Sequence, residues 1–201
     1  MAVHSHDAAD AVLILASTSA YRRALLQRLG VTFETRAPRT DEVPLVGESA
    51  AAMAQRLAES KARSIAAEHP QALIIGSDQT VTADGEIIGK PGDADTARRQ
   101  LAAASGKWRT FHTALCVLNT ASDRLRCELV DYRVKFRHLQ ATEIDRYLRL
   151  EQPFDCAASM KSEGLGIALL ETLEGPDPTA LVGLPLIALS AMLRAEGVRV
   201  P

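Results

Sequence analysis

The stretch VLILASTSAYRRALL, residues 12–26, changes character in its middle. Its apolar start predicts a short buried strand over 12–17, and the leucines that follow recur at helical spacing and predict a helix over 19–29 ending at Gly30. Hydroxyl residues and two adjacent arginines lie at the junction. A helix N-terminus presents unpaired N–H groups and the positive end of its dipole, so the junction is suited to an anion.

Three side chains of this junction are candidate phosphate ligands. Ser17 offers a hydroxyl, and Arg22 and Arg23 offer guanidinium groups that match phosphate oxygens. The alternative is that the hydroxyls only cap the helix and that the arginines are solvated, and the stretch alone does not decide between the two. The phosphate-binding patterns GxxxxGK[ST] and GxGxxG are absent from the sequence.

The remaining chain alternates strands with helices and then pairs strands as hairpins. Periodicity and capping residues define these segments. Helices are predicted over 49–68, 94–104, 142–150 and 178–195, and strands over 31–37, 72–75, 80–83, 86–88, 109–119, 125–138, 155–160 and 166–173. This order predicts an α/β (α+β) fold with a mixed sheet and a bilobal shape around a cleft. One domain over 11–201 is expected after a flexible tail, residues 1–10.

Composition excludes several classes of function. The chain of 201 residues has a net charge of -2 and a pI of about 6.2, which does not suit a nucleic-acid binder. No apolar run is long enough to span a membrane and no secretory signal is present, so a cytoplasmic protein is expected. The three cysteines, Cys116, Cys127 and Cys156, are interpreted as buried free thiols, although one disulfide remains an alternative.

Carboxylates and lysines elsewhere are further candidates for chemistry. Glu42 follows Asp41 in a polar loop, and the pair is either solvated or holds a divalent metal. Asp78 follows an apolar strand and is interpreted as a general base or metal ligand rather than a turn residue. Lys90, in GKP over 89–91, fits a phosphate contact, whereas Lys61 is unspecific by itself.

Two remaining stretches are weaker by themselves. Glu163, in KSEG over 161–164, is either a site residue or an ordinary turn residue. His112 and His138 have no second ligand at metal-binding spacing, so both are interpreted as structural or solvated.

Taken together, these stretches resemble the Maf family of nucleoside triphosphate pyrophosphatases. The motifs occur in family order, and the resemblance covers nearly the whole chain from about residue 12. It rests on the 15–26 stretch, Asp41-Glu42, Lys61, GSDQ at 76–79, GKP at 89–91, VKFRHL at 134–139, KSEG at 161–164 and LVGLPL at 181–186. The resemblance implies a Maf-like domain whose twisted mixed sheet is flanked by helices, with a cleft between two lobes.

The resemblance also implies a mechanism. The triphosphate of a small-molecule nucleotide would lie across the phosphate ligands, and a divalent metal cation, Mg²⁺ or Mn²⁺, would lie near Glu42 and Asp78. Asp78 would be the general base that activates water. The substrate-binding residues implied are Ser17, Arg22, Arg23 and Lys61, and the catalytic ones Asp78, Lys90 and Glu42. A homodimer is expected by analogy with the family.

Three positions favour the branch of the family that acts on 7-methyl-GTP. Tyr21, Gln79 and Glu163 differ from the residues typical of the dTTP/UTP branch. The N7-methylated guanine is cationic, so Tyr21 could stack on it, and Glu163 could accept hydrogen bonds from its N–H groups. The alternatives are a dTTP/UTP pyrophosphatase and a non-catalytic, nucleotide-binding regulator of septum formation.

Overall fold

A computed structural model describes residues 11–201, and the tail expected over 1–10 lies outside the described residues. Over the described residues, the fold is a seven-stranded mixed sheet with six α-helices, which confirms the α/β prediction. The strands are β1 (Val12–Ala16), β2 (Glu34–Arg36), β3 (Ala72–Ala83), β4 (Glu86–Ile88), β5 (Trp108–Asn119), β6 (Arg124–Phe136) and β7 (Leu170–Glu174). The helices are α1 (Ala20–Gln27), α2 (Ala50–Arg63), α3 (Ala94–Ala104), α4 (Ala141–Glu151), α5 (Pro178–Val182) and α6 (Leu186–Ala195).

The sheet has a gap beside strand β3. The order is β2-β1-β3-β5-β6-β7, and β4 also pairs with β3. On one side, β3 pairs in parallel with β1 as far as Ile75 and in antiparallel with β4 from Val81 onward. Its other side pairs with β5 from Leu73 to Thr82. The described registers therefore leave residues 76–80 with a neighbouring strand on one side only.

Two apolar clusters form on either side of this gap along the long strands. One cluster packs α1 and α6 against the first half of β3, and it includes Leu15, Ile75 and Leu189. The other packs α3 and α4 against the start of β5 and the end of β6, and it includes Phe111 and Phe136. The two clusters correspond to the two lobes expected from the sequence, with the cleft between them.

Helix α2 covers the opposite face of the sheet and approaches β3 unusually closely. A Cβ built on Gly76 would lie 2.1 Å from the carbonyl oxygen of Ala58 and 2.9 Å from the backbone nitrogen of Ala62. Only glycine permits this approach, because any side chain would collide with helix backbone. The close contact brings Lys61, on the same face of α2, next to the β3 residue Asp78.

Several predicted element boundaries are wrong. Asp78 does not follow a strand that ends at 75, because β3 is a single strand of 12 residues running through it. The segment predicted as a strand over 155–160 contains a short 3-10 turn, Ala157–Ser159, and the strand predicted over 166–173 is a 3-10 turn followed by β7. The helix predicted over 178–195 is two helices, since Gly183 adopts a left-handed φ of 114° and Pro185 cannot continue a helix.

The prediction of three free thiols is wrong for two of them. Cys116 of β5 and Cys127 of β6 are directly paired residues, with Cα atoms 4.1 Å apart, and they form a disulfide. Cross-strand register brought together two residues that are 11 positions apart. Cys156 is free. Within the described residues, no helix combines the length and the apolar character needed to cross a membrane.

Gly76→Ala tests the packing that brings α2 to β3. We expect the substitution to lower the free energy of unfolding by about 3 kcal/mol, the upper part of the range for overpacked cores, because the clash is with backbone. Denaturant unfolding measures the effect. Gly89→Ala is the matched control, since a Cβ there meets no atom within 4 Å, and it should leave stability nearly unchanged. Equal stability of the two variants would contradict the packing argument.

Candidate active site

A cleft of about 780 Å³ opens at the gap in the sheet. The junction between β1 and α1 lies on one side of it and the end of β4 on the other, because these segments flank the unpaired part of β3. The cleft brings together nine of the ten residues predicted from the sequence. They are Ser17, Tyr21, Arg22, Glu42, Lys61, Asp78, Gln79, Lys90 and Glu163.

A buried ammonium group lies at the centre of the cleft. Lys61 Nζ is 2.5 Å from Asp78 Oδ1 and 2.7 Å from Glu42 Oε1. Lys61 is only 5% exposed and Asp78 8%, whereas the Glu42 side chain is 60% exposed. A buried charge is tolerated when it is paired, so the three side chains form one mutually dependent cluster.

Electrostatics keep the solvent-facing member of this cluster ionised. The hydrogen bond from Lys61 is the main cause that lowers the pKa of Glu42, with smaller contributions from Lys90 and Arg22. A lowered carboxylate pKa means that the stability contributed by the pair is fully present above the ordinary glutamate pKa. That stability is lost as pH falls through the lowered value.

The two carboxylates fit a metal that arrives with a ligand. Among residues 11–201, no group of three or more His, Cys, Asp or Glu side chains could hold a metal ion by itself. Mg²⁺ is commonly bound by one or two carboxylates together with substrate phosphates. Glu42 and Asp78 come from separate elements and each pair with Lys61 Nζ through one oxygen, which leaves a second oxygen on each carboxylate. The donor set is therefore suited to a cation shared with phosphate oxygens.

The cationic wall of the cleft is built around Arg22. Its Nε donates to the carbonyl oxygen of Gly183 at 2.8 Å, which fixes the guanidinium direction. Burial lowers the pKa of Arg22, and the nearby charges of Asp78 and Glu42 oppose that shift. Ser17 is buried at the end of β1, where its Oγ accepts the backbone N–H of Ser19 and keeps its own proton for donation.

Arg23 does not line the cleft. It is exposed and lines a separate, smaller pocket formed with Gln27, Phe33 and neighbouring residues. The helix explains the difference between adjacent arginines, because successive residues point about 100° apart around its axis. The structure therefore separates the two arginines that the sequence placed in one phosphate site.

The part of the cleft around Tyr21 is aromatic and acidic. Tyr21 donates its hydroxyl to Asp155 Oδ1 at 3.4 Å, and the Cys156 thiol lies 3.8 Å from the same hydroxyl. Burial is the main cause that raises the pKa of Tyr21, and it raises that of Cys156 to about 11, so both groups are neutral at physiological pH. Glu163 is exposed, lines the same cleft and lies near enough to Cys156 for its charge to act on that thiol.

Gln79 offers its oxygen to the cleft because its amide nitrogen is occupied. Gln79 Nε2 donates to Ala180 O at 2.8 Å and to Thr113 Oγ1 at 2.9 Å. An amide nitrogen has two hydrogens, so both are used and the side-chain oxygen is the group that can meet a ligand. Gln79 is thereby set as a hydrogen-bond acceptor.

Sequence reasoning missed the parts of the site that act through other residues. Asp155 and Cys156 line the cleft beside Tyr21 but lie in a segment predicted to be a strand. The carbonyl oxygens of Ala180 and Gly183 orient Gln79 and Arg22. In the sequence, GPDP at 175–178 and Gly183 of LVGLPL mark this segment as irregular. Backbone carbonyls themselves carry no sequence signal.

Lys61→Met tests the central cluster. Losing the ammonium leaves Asp78 as a buried charge without its partner. We therefore expect the free energy of unfolding to fall by about 3 kcal/mol. This value is at the lower end of the range for breaking a buried ion pair, because the cluster opens to the cleft. Adding Asp78→Asn to Lys61→Met should restore part of the lost stability. In Lys61→Met, the pKa of Glu42, followed by carboxyl NMR, should rise toward its ordinary value. Lys107→Met removes an exposed lysine and should change stability little. A Lys61→Met protein as stable as the control would contradict the cluster.

Comparisons with known proteins identify the family of this chain. A family model described as "Maf-like protein" matches residues 12–196. A protein of Aromatoleum aromaticum named "7-methyl-GTP pyrophosphatase" is 57% identical over 189 residues, covering 94% of this chain and 97% of the relative. One of Cupriavidus pinatubonensis with the same name is 57% identical over 185 residues, covering 92% and 93%. The resemblance seen in the motifs is confirmed, and the chain belongs to the Maf family.

Proposed function

We propose that this protein is a nucleoside triphosphate pyrophosphatase that hydrolyses 7-methyl-GTP to 7-methyl-GMP and diphosphate, as removal of a non-canonical nucleotide in the cytoplasm. The observation that carries the proposal is the polarity of the cleft. Cationic groups of Arg22, Lys61 and Lys90 line it together with an aromatic ring and acceptor groups around Tyr21. A nucleotide has the matching parts, an anionic triphosphate and a flat base. The 7-methyl-GTP pyrophosphatases at 57% identity support the substrate.

We call the part of the cleft formed by Tyr21, Gln79 and Glu163 the base end. Its chemistry favours a cationic base that donates hydrogen bonds. Gln79 presents an oxygen, and Glu163 presents a carboxylate. The pairing edge of guanine carries the N1–H and amino donors, whereas thymine and uracil carry one donor between two acceptors. N7-methylation adds a positive charge, which strengthens hydrogen bonds to a carboxylate and stacking on an aromatic ring such as Tyr21.

The phosphate end would position the triphosphate and screen its charge. In the proposal, Ser17 donates its hydroxyl and Arg22 and Lys90 contact phosphate oxygens. Glu42 and Asp78 would hold a divalent cation, Mg²⁺ or Mn²⁺, together with those oxygens. Such a cation, when bound, supplies charge neutralisation on the reacting phosphate.

In the proposal, Asp78 accepts the proton of the attacking water. Its Oδ1 accepts from Lys61, so Oδ2 is the oxygen that can take a proton from an attacking water. The water oxygen then bonds to the α-phosphorus while the bond to the bridging α–β oxygen breaks. Diphosphate leaves with the electron pair of that bond, and the hydrogen bond from Lys61 orients Asp78 before the attack.

A substrate panel tests the proposed function. Diphosphate release would be followed with GTP, 7-methyl-GTP, dTTP and UTP in the presence of Mg²⁺ or Mn²⁺, and Asp78→Asn would be measured beside the unsubstituted protein. We expect kcat/KM to be highest for 7-methyl-GTP, and Asp78→Asn to lose at least about 100-fold, as for a general base. Preference for dTTP or UTP would overturn the base assignment. Full activity of Asp78→Asn would overturn the base role.

Glu163→Gln and Tyr21→Leu test base recognition separately from catalysis. Removing the carboxylate or the ring should lower the preference for 7-methyl-GTP over GTP by about tenfold each, because each loses roughly 1–2 kcal/mol of interaction with the cationic base. The ratio of kcat/KM values measures this preference. Glu171→Gln, an exposed glutamate on β7, is the control. An unchanged ratio in both variants would remove Tyr21 and Glu163 from the recognition site.

A further inference from the structure

Helix α4 lies outside the cleft but contacts the loop that carries Glu163. Of the residues that the structure describes, none from α4 lines the cleft. Nevertheless, the side chains of Tyr147 and Glu151, one helical turn apart on α4, make four polar contacts to residues 159–165. We call residues 161–165 the KSEGL loop.

Glu151 is the residue around which the KSEGL loop folds. Its Oε2 accepts the backbone N–H of Leu165 at 2.7 Å, and its Oε1 pairs with Lys161 Nζ at 2.8 Å. The Glu151 side chain is 10% exposed, and a Cβ on Gly164 would lie 2.5 Å from its Oε2. One carboxylate therefore ties both ends of the loop and leaves Glu163 between them.

Tyr147 fixes the entry to the same loop. Its hydroxyl accepts the backbone N–H of Lys161 at 3.1 Å and donates to the carbonyl oxygen of Ser159 at 3.2 Å. The loop is consequently attached to α4 at its first and last residues, on one face of the helix. Glu163 projects from a segment whose position is set by α4 and not by the cleft itself.

Glu151 also controls a charge next to the base end. Lys161 Nζ lies over the Tyr21 ring at 5.8 Å from its centroid. An unpaired ammonium at this place would repel a cationic base that stacks on the same ring, whereas the pair with Glu151 neutralises it. The hydrogen bond from Lys161 lowers the pKa of Glu151, so the carboxylate is ionised at physiological pH.

We propose that Glu151 is a positioning residue for base recognition, which holds Glu163 in place and neutralises Lys161 beside Tyr21. The inference rests on the proposed function, since it assigns Glu151 to discrimination between 7-methylguanine and guanine. It extends the recognition site from the cleft to the face of α4 that packs on the KSEGL loop. Glu151 makes this contribution through Lys161, Leu165 and Glu163, without contact to the nucleotide.

The test measures binding and turnover in Glu151→Gln and Glu151→Ala. Glutamine keeps an acceptor for the Leu165 N–H but loses the charge, and alanine loses both contacts. Calorimetry gives the affinities for 7-methyl-GMP and GMP, and kinetics give kcat and KM for 7-methyl-GTP and GTP. Asp145→Asn is the matched control, because it removes a carboxylate of the same helix that pairs with Arg98 at the exposed surface. Thermal unfolding shows whether each variant is folded.

We expect the preference for 7-methyl-GMP over GMP to fall by about fivefold in Glu151→Gln and about tenfold in Glu151→Ala, with kcat within about twofold of the unsubstituted protein. Adding Lys161→Gln to Glu151→Gln should restore part of the preference, because the uncompensated charge is then gone. An unchanged preference in folded Glu151→Gln would overturn the inference, as would an equal loss of affinity for both monophosphates. The binding measurement judges Glu151 independently of turnover, whereas absence of hydrolysis in the unsubstituted protein would overturn the proposed function.

Discussion

The site depends on one buried ammonium group, that of Lys61, held between Asp78 and Glu42. Burying that charge is tolerated because two carboxylates pair with it, and burying Asp78 is tolerated because the ammonium is there. The arrangement requires α2 to lie directly against β3, and Gly76 permits that approach. Packing on the outer face of the sheet thus determines chemistry at its gap.

The gap explains why β3 alone supplies the cleft with side chains from both faces of the sheet. Successive side chains of β3 point to opposite faces of the sheet, so Asp78 faces α2 while Gln79 faces α5. A strand paired along both edges would separate these two faces from each other. Because β1 and β4 both end short of residues 76–80, the two faces communicate at the strand edge.

The outer elements then determine what the cleft can recognise. Helix α5 occupies the amide nitrogen of Gln79 and makes that side chain an acceptor. Helix α4 holds the KSEGL loop, and Glu163 of that loop lines the cleft. The Lys61 cluster therefore depends on α2, whereas the side chains of Gln79 and Glu163 depend on contacts with α5 and α4.

The sequence predicts most of the strands, and nine of the ten site residues it predicts line the cleft, because periodicity and motif order are local signals. It does not separate Arg22 from Arg23, since their orientation depends on where α1 begins and on the Gly183 carbonyl. It also misses the pairing of Cys116 with Cys127, which depends on strand register.

Irregular segments were the least predictable part of the chain. The stretch 153–169 carries apolar residues that suggest strands, but its backbone is held by side chains of α4, as with Tyr147 and Glu151. Such tertiary contacts override local propensity. The roles of Asp155 and Glu151 could be recognised only after the loop was placed beside Tyr21.

The central claim is that the cleft around Lys61 and Asp78 binds a nucleotide with its base at Tyr21 and its α-phosphate beside Asp78. A crystal structure with a non-hydrolysable α,β-methylene analogue of 7-methyl-GTP and Mg²⁺ tests it most directly. The account predicts the methylated base stacked on Tyr21 within hydrogen-bond distance of Glu163, and the α-phosphorus within reach of a water held by Asp78. A nucleotide bound with its base at the Lys90 end, or outside the cleft, would contradict the account.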